Sequence, residues 1–342
     1  MVNKLKIHIN YYTRSTPYGG GNAFIKSLKS HLKDLDLYSE SPEKCNVIIF
    51  NGHHHLLSTI KLKKKLSDTV FIHRLDGPMF RLRKNGMILD YLIKLFSTKC
   101  ADGQIFQSQW SLNENIKRKL KFQNYAIIGN ACNSEIFKKI KVNKSNKNRK
   151  IKLLVSSWSN NLSKGTNTLK YLDMNLDFKR FEIKFIGNTN ETFRNIKLYG
   201  PMSQSKLANE IQNSDIFLFL SFFESYSNML IEAISCGIPV ITRNASSNNE
   251  IVLDDRLLFK TNIELINKIS LVAKSLNQQI DYKYNIKSIS EVTNAYIEFS
   301  NNTIKKIKSK KISFLTYGYL CLIYYVIKIF IFINDKLNSY LK

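Results

Sequence analysis

Residues 215–250 constrain the fold most, because they alternate a buried strand, a polar loop, a helix and a second strand. The apolar run at 216–220 predicts a parallel strand that is buried on both faces. A helix is predicted over 229–236, with Ser227 as its N-cap and Gly237 as its stop signal. This order of elements predicts an α/β protein with a parallel sheet.

The start of that helix predicts an anion-binding site, because its free backbone N–H groups and its dipole both point at the preceding loop. Glu224 lies in the loop, and Glu232 lies on the second turn of the helix. A carboxylate cannot bind phosphate, but it accepts hydrogen bonds from hydroxyl groups such as those of a ribose or a hexose. Loop and helix therefore favour a ligand that carries both anionic and hydroxyl groups.

The same two acidic residues carry a family resemblance. Glu224 and Glu232 are eight positions apart and are followed by Ala233 and a Gly-x-Pro turn at 237–239. This pattern resembles the E-x7-E motif of retaining glycosyltransferases of the GT-B fold, family 4 (group 1). The alternative is a surface helix with two incidental acidic residues, which remains open when a motif fixes only two positions.

The resemblance implies a fold and a set of roles. It implies two Rossmann-like domains facing a cleft, with a nucleotide-diphosphate sugar as substrate and no cofactor. Glu224 would contact the donor sugar, and Glu232 would bind the ribose of the nucleotide. The backbone N–H groups of Ser227, Asn228 and Met229 would hold the diphosphate.

A second match lies earlier in the same half of the chain. Lys164 and Gly165 resemble the family's Lys-Gly pair, in which the compact ammonium group neutralises the donor diphosphate. The Arg that the family commonly carries about five residues earlier is missing, and Ser159 occupies that neighbourhood. Either Arg243 or backbone groups substitute for it, or the donor binds more weakly. Without the pattern, Lys164 would be an ordinary surface lysine.

The first half of the chain offers weaker signals. A strand at 5–9 and a helix at 22–32 flank a loop that ends in Gly19, Gly20 and Gly21, which permits close approach to a ligand. The loop lacks the GxGxxG pattern, and a flexible turn is the alternative. His73 follows a strand predicted at 69–72, where ligands bind in α/β sheets, and it resembles the family's catalytic His. A histidine satisfied by a backbone carbonyl is the alternative.

No metal site is predicted. The consecutive histidines at 53–55 diverge on any regular backbone, so they cannot easily converge on one ion. Asp34 and Asp36 form a D-x-D pattern, but they follow a helix instead of a strand end and are interpreted as surface residues. The lysine-rich stretch at 61–65 is likewise interpreted as a solvated helix face.

The chain is long enough for two domains, since its 342 residues exceed the roughly 250–300 at which single cores stop growing. The predicted division is an acceptor-side domain at 1–137, a basic linker at 138–150 and a nucleotide-sugar domain at 151–288. A closing helix at 289–308 and a tail at 309–342 follow. Segment 102–110 resembles a strand-to-serine segment of the family. Segment 129–137 resembles the segment that closes the first domain, with Asn130 and Phe137 in place but Ala131 and Asn133 where the family has Gly and Asp.

The charge and the cysteine content limit which partners and which cellular compartment are expected. There are 52 Lys and Arg against 26 Asp and Glu, which gives a net charge of +26. Such a field favours nucleic acid, anionic membranes or phosphorylated substrates. The five cysteines are scattered without a CxxC pair, so a disulfide framework is not predicted and a reducing compartment fits. The N-terminus lacks the apolar segment of a secretory signal.

The C-terminal tail predicts membrane contact. Residues 312–333 carry a single charge, Lys328, and as a helix they could span the roughly 30 Å of a bilayer core. The lysines before this run would attract anionic lipid. A helix packed on the protein's own core and an in-plane helix are the alternatives. The expected location is the cytoplasmic face of a membrane.

These observations predict a metal-independent glycosyltransferase that acts on a glycan or lipid-linked acceptor in polysaccharide or lipopolysaccharide synthesis. Lys164 and the helix start would assist departure of the nucleoside diphosphate, and Glu224 and His73 would position the sugar. One rival is a catalytically silent GT-B protein that binds glycan or lipid. A second is a nucleic-acid-binding protein, although no basic helix motif appears. Sugar-nucleotide epimerases share the fold.

Overall fold

The computed structural model describes residues 4–14, 19–81, 85–118, 122–140, 149–159, 161–278, 280–307, 309 and 311–340. The chain divides into two compact units, each formed by separate segments. The first unit comprises Met1–Tyr12, Leu28–Ile128 and Thr293–Lys342. The second unit comprises Thr13–Ser27 and Gly129–Val292. Most of the predicted linker, residues 141–148, lies outside the described residues.

The first unit contains a five-stranded parallel sheet whose spatial order follows the sequence. Every residue of its second and third strands is buried, which is typical of parallel strands covered on both faces. The strands are β1 Ile7–Asn10, β2 Val47–Asn51, β3 Val70–Leu75, β4 Gly103–Phe106 and β5 Tyr125–Ile127. The helices between them are α1 Gly19–Asp34, α2 Leu56–Lys65, α3 Gly86–Cys100 and α4 Gln109–Ile116, with short 3-10 turns at Pro42–Lys44 and Met79–Arg81.

The second unit contains a six-stranded parallel sheet in the order β11-β10-β9-β6-β7-β8. Its strands are β6 Ile151–Ser157, β7 Phe181–Gly187, β8 Lys197–Tyr199, β9 Ile216–Phe219, β10 Val240–Arg243 and β11 Leu258–Phe259. Its helices are α5 Thr166–Asn175, α6 Gln204–Gln212, α7 Asn228–Ser235, α8 Asn248–Ile251 and α9 Asn262–Lys274, with 3-10 turns at Leu162–Lys164 and Asp255–Leu257. The predicted strand–loop–helix–strand order of 215–250 is confirmed.

Two C-terminal helices follow, α10 Ile289–Lys306 and α11 Phe314–Tyr340. Within the described residues, Phe314–Asn334 is long and apolar enough to cross a membrane by length and composition, with a mean hydropathy of 1.8. One side of α11 nevertheless packs on α2 and α3 of the first unit. Leu320 is fully buried there, and Tyr324 meets the ring of Phe96 edge-on at 6.5 Å.

Two predicted boundaries were wrong. The strand predicted at 69–72 continues as β3 to Leu75, because His73 pairs in register with Phe50 of β2 and Gln104 of β4. The helix predicted from residue 22 begins at Gly19, so the glycines form the first turn of α1.

An acidic side chain of α3 organises the turn before that helix. The carboxylate of Asp90 accepts the N–H groups of Met79 and Phe80 at 2.9 and 3.0 Å, and α3 begins at Gly86.

The interpretation of the α2 lysines as a solvated face was wrong for Lys63. This side chain is 2% exposed, and its ammonium group lies 2.6 Å from the buried carboxylate of Asp102. Asp102 also accepts the backbone N–H of Phe71 at 2.8 Å. The aromatic ring of Phe71 lies 4.7 Å from the same ammonium group. Lys63 is therefore buried because it pairs with the buried carboxylate of Asp102, just before β4.

Substitution Lys63→Met should destabilise the protein by about 3–5 kcal/mol, because Asp102 would remain as a buried charge without its cation. The double variant Lys63→Met with Asp102→Leu should recover most of that loss. Urea unfolding followed by circular dichroism measures both effects. The control Lys184→Met breaks a partly exposed pair with Glu210 and should change stability by less than about 1 kcal/mol. Equal effects of the two lysine substitutions would contradict the prediction.

Candidate functional site

The candidate site lies where the strand order of the second sheet reverses. From β6 the chain adds β7 and β8 on one side, and it then returns to add β9, β10 and β11 on the other. Ligands of open α/β sheets bind beyond the carboxyl ends of the strands at such a point. The turn after β6 carries Lys164, and the loop after β9 carries Glu224. The topology therefore places both predicted residues at the reversal.

A glycine allows the two connections to touch. Gly165 has φ +91°, a left-handed conformation that disfavours side chains. A Cβ atom added there would lie 2.4 Å from the Cβ atom of Leu220 at the end of β9. The carbonyl of Ser163 also accepts the backbone N–H of Phe222 at 2.8 Å. Only a bare backbone fits between these segments.

The close approach brings the two predicted side chains into contact. The ammonium group of Lys164 lies 2.5 Å from a carboxylate oxygen of Glu224. The side chains are 27% and 15% exposed, so the pair is partly shielded but reachable from solvent. The site thus holds one cation and one anion side by side. The cation can turn to a phosphate and the anion to a hydroxyl group.

Two serines that the sequence analysis missed hold the Glu224 loop. The hydroxyl of Ser246 accepts the backbone N–H of Glu224 at 3.0 Å, and the hydroxyl of Ser247 donates to the carbonyl of Glu224 at 2.9 Å. Ser246 has φ +51°, which is uncommon for a residue other than glycine. A strained backbone of this kind persists where its surroundings fix it. A Ser-Ser pair after a strand carries no spacing pattern that would have revealed this role.

The start of α7 has the predicted capping. The hydroxyl of Ser227 accepts the backbone N–H of Leu230 at 3.3 Å, which confirms the N-cap. The first N–H groups of a helix have no acceptor within it, so those of Asn228 and Met229 remain available to a ligand. At the other end, Gly237 takes φ +78° and its N–H bonds to the carbonyl of Ile234 at 2.9 Å.

Asn228 adds a second polar group at this helix start. Its side chain is 6% exposed, and its amide oxygen has no hydrogen-bond partner among the described residues. Gly20 lies directly against it, because a Cβ atom there would be 2.7 Å from the amide nitrogen of Asn228. A Cβ atom on Gly21 would meet nothing within 4 Å. The structure therefore places Gly20 at the site and leaves Gly21 in open space.

Glu232 is buried deeper in the same helix. It is 7% exposed, and burial raises the pKa of its carboxyl group to about 7. A hydrogen bond with Gln204 opposes part of that rise in pKa. Near neutral pH this carboxyl group can therefore either donate or accept a proton in a hydrogen bond.

His73, the remaining predicted site residue, lies in the first unit. It is fully buried, its Nε2 atom bonds to the carbonyl of Gly52 at 2.9 Å, and its ring stacks on Phe50 at 4.1 Å. Burial lowers the pKa of His73 to about 4, so the imidazole is neutral at physiological pH. Its Nδ1 atom has no hydrogen-bond partner within the described part of the chain. His73 therefore matches the alternative interpretation, a histidine bonded to a backbone carbonyl.

Arg243, a candidate to replace the missing arginine, is already engaged. Its guanidinium group is buried and donates to the hydroxyl of Thr168 at 2.7 Å and to the carbonyl of Lys260 at 3.1 Å. The group lies 3.8 Å from the centre of the Phe222 ring, and burial lowers its pKa. The hydroxyl of Ser159 accepts the N–H of Asn161 at 3.2 Å. Arg243 therefore ties β10 to α5 in this structure.

The rings of the histidine run at 53–55 contact one another and neighbouring tyrosines. His55 begins α2 in a left-handed conformation and meets the ring of Tyr12 edge-on at 4.6 Å. Among the described residues, no group of three His, Cys, Asp or Glu side chains could hold a metal ion. Asp34 and Asp36 are exposed, and Asp36 pairs with Lys4 and Lys6.

Part of the second unit matches a known protein family. Residues 183–288, which contain Glu224, α7 and Glu232, match the family model described as glycosyl transferases group 1. A comparison with curated proteins found no significant match. The two-sheet fold is the GT-B fold, with a hydrophobic helix added at the C-terminus.

Solved structures share the fold over nearly the whole chain. A sucrose-phosphate synthase from Thermosynechococcus elongatus is 11% identical, with a TM-score of 0.63 over 97% of this chain and 100% of its own. Anabaena Alr3699/HepE in complex with UDP-glucose is 13% identical, with a TM-score of 0.62 over 98% and 100%. A glycosyltransferase from Rickettsia africae is 14% identical, with a TM-score of 0.61 over 95% and 99%.

Substitution Gly20→Ala should displace the Asn228 amide, because the new methyl group would also lie 2.9 Å from the Cβ atom of Asn228. The strain should lower the stability of the protein by about 1–3 kcal/mol. Urea unfolding measures the loss. Gly21→Ala is the matched control and should leave stability unchanged or raise it slightly. A larger effect at Gly21 than at Gly20 would contradict this placement.

Substitution Glu232→Gln should stabilise the ligand-free protein above pH 7. The folded-state pKa of about 7 exceeds the ordinary 4.5, so the wild-type protein loses stability as pH rises from about 4.5 to 7. The penalty above pH 7 is about 3 kcal/mol, and Gln does not carry it. Urea unfolding at pH 5 and pH 8 measures the difference. A pH-independent effect of Glu232→Gln would refute the prediction.

Proposed function

We propose a donor and a reaction for this chain. Its match over residues 183–288 and its fold identify it as a group 1 glycosyltransferase. The proposed reaction transfers a sugar from a nucleoside diphosphate sugar to a glycan or lipid-linked acceptor with retention of configuration. The observation that carries the proposal is the Lys164–Glu224 contact of 2.5 Å at the strand-order reversal, beside the start of α7.

The donor would use each group of the site according to its charge. The diphosphate would accept hydrogen bonds from the ammonium group of Lys164 and from the N–H groups of Asn228 and Met229. Glu232 would bond to ribose hydroxyl groups. Glu224, released from Lys164 when the phosphate arrives, would accept from a hydroxyl group of the sugar.

The proposed chemistry breaks the bond between the anomeric carbon and the diphosphate oxygen. Positive charge from Lys164 and from the α7 dipole stabilises the negative charge that develops on the leaving group. The acceptor hydroxyl bonds to the anomeric carbon on the same face, and its proton passes to the departing phosphate oxygen. Glu224 positions the sugar and forms no covalent bond to it.

UDP-sugars are the first donors to test, because Anabaena Alr3699/HepE was solved with UDP and with UDP-glucose. GDP- and ADP-sugars complete the panel. A donor should raise the melting temperature in proportion to its concentration over its Kd. We also propose that no metal is needed, so EDTA should leave the transfer rate unchanged.

The proposed setting is the cytoplasmic face of a membrane, in polysaccharide or lipopolysaccharide synthesis. The support is the apolar helix Phe314–Asn334 and the lysine-rich segment before it, which would attract anionic lipid. Such a location would give the enzyme access to a lipid-linked acceptor. We propose no specific binding to nucleic acid.

Substitution Glu224→Gln should lower the transfer rate by roughly 10²-fold or more, and Lys164→Ala should do the same by removing charge stabilisation. Lys164→Ala should also reduce the UDP-induced rise in melting temperature. Release of nucleoside diphosphate measures the rate, and NMR of the new glycosidic bond measures its configuration.

The matched controls are Glu210→Gln and Lys184→Ala, which alter a Lys–Glu pair of the same unit, 2.9 Å apart, away from the strand-order reversal. Both should retain wild-type rates. Unchanged transfer in Glu224→Gln across the donor panel would instead favour the catalytically silent alternative, and an inverted product would overturn the retaining assignment.

A further inference from the structure

Helix α11 presents one apolar face to its own protein. Tyr317, Leu320, Tyr324, Ile327 and Ile331 recur every three or four residues and therefore lie along one side of the helix. The first four pack with the core beneath α2 and α3, and Ile331 packs with the neighbouring cluster around Met79 and Ile93. This docked stripe covers side chains of the first unit over several turns.

The opposite face of α11 is apolar and exposed. Successive residues of a helix are about 100° apart, so the residues that do not belong to the docked stripe lie on the far side. Six of them are between 51% and 83% exposed: Leu315, Leu322, Val326, Ile329, Phe330 and Ile333. Met87 of α3, which is 76% exposed, adds to the exposed apolar surface of the first unit. A surface of this kind in a soluble protein marks an interaction site.

Both ends of α11 are tied to the first unit by polar contacts. Before the helix, the hydroxyl of Ser309 accepts from the buried ammonium group of Lys63 at 2.9 Å and donates to the carbonyl of Thr69 at 2.7 Å. Near its end, the amide of Asn334 donates to that of Asn85 at 2.8 Å. Contacts therefore hold the helix on the first unit from its first turn to Asn334.

The charges around this face complement an anionic surface. Five of the seven residues at 305–311 are Lys, and no acidic residue occurs from 314 to 334. The ammonium group of Lys64 lies 4.6 and 4.3 Å from the ring centres of Phe314 and Tyr317. Lys328 is exposed on the flank between the docked stripe and the exposed face, where a long side chain can reach lipid headgroups.

We propose that α11 lies flat in the interface of an anionic bilayer while it stays docked on α2 and α3, and that it does not span the membrane. A spanning orientation would separate α11 from the first unit, expose the docked stripe and the core beneath it, and break the contacts of Ser309 and Asn334. The flat orientation keeps these contacts and buries only the face that is now exposed. This goes beyond the membrane contact proposed above, and its tests do not depend on sugar transfer.

A membrane-topology experiment distinguishes the flat orientation of α11 from the spanning one. The full chain, with one epitope tag at each terminus, is expressed in bacteria and prepared as inverted membrane vesicles, which are then treated with protease. A flat helix leaves both tags on the same, accessible side. Protection of the C-terminal tag alone would show a spanning helix and overturn the proposal.

Vesicle flotation tests the face itself. The purified full chain should bind phosphatidylcholine vesicles containing phosphatidylglycerol more tightly than pure phosphatidylcholine, and added salt should weaken binding. Ile329→Glu should weaken binding by roughly tenfold or more without changing the melting temperature. The control Ile263→Glu alters an equally apolar residue of the second unit, 67% exposed, and should bind as wild type. Equal binding of both variants would refute the proposal.

A crosslinked variant tests whether α11 must leave the first unit. The pair Asn85→Cys and Asn334→Cys replaces two side chains that contact each other, and mass spectrometry can verify the new disulfide. The crosslinked protein should bind anionic vesicles as tightly as its reduced form. Loss of binding on oxidation would show that membrane binding requires undocking. A stable dimer with no vesicle affinity, seen by analytical ultracentrifugation, would assign the face to a second copy.

Discussion

The candidate site depends on one close backbone approach in the second unit. Gly165 takes a left-handed conformation against Leu220, and a side chain there would separate the turn after β6 from the loop after β9. Because the two segments touch, Lys164 and Glu224 lie 2.5 Å apart and their charges neutralise each other. A ligand that offered a phosphate to the cation and a hydroxyl group to the anion would replace one favourable contact with two.

The protein treats its buried ionisable groups in different ways. Glu232 and His73 are kept close to neutral by desolvation, which raises the pKa of the acid and lowers the pKa of the base. Lys63 and Asp102 instead stay together as a buried pair. The pair of Lys164 and Glu224 is partly open to solvent, with side chains that are 27% and 15% exposed. Unlike the buried pair of Lys63 and Asp102, it can therefore exchange its partners.

The sequence predicted the α/β class, the order of elements from 215 to 250, and the Ser227 cap, because these follow from local patterns. It did not predict that β3 continues through His73, since only pairing with β2 and β4 draws a polar residue into a strand. The contact of Lys164 with Glu224 spans 60 positions and follows from strand order, which no local pattern encodes. Ser246 and Lys63 were missed for the same reason, because their partners are distant in sequence.

The docked stripe of α11 has a practical consequence for anyone who works with this protein. Hydrophobic tails are commonly deleted to obtain a soluble enzyme, on the assumption that they are separate from the folded domain. Here Leu320 is fully buried in the same cluster as Phe96 and Leu56. Cutting the chain before Phe314 would uncover that cluster. The shortened protein would aggregate more readily than the full chain, so mild detergent is the better route to material for crystals or assays.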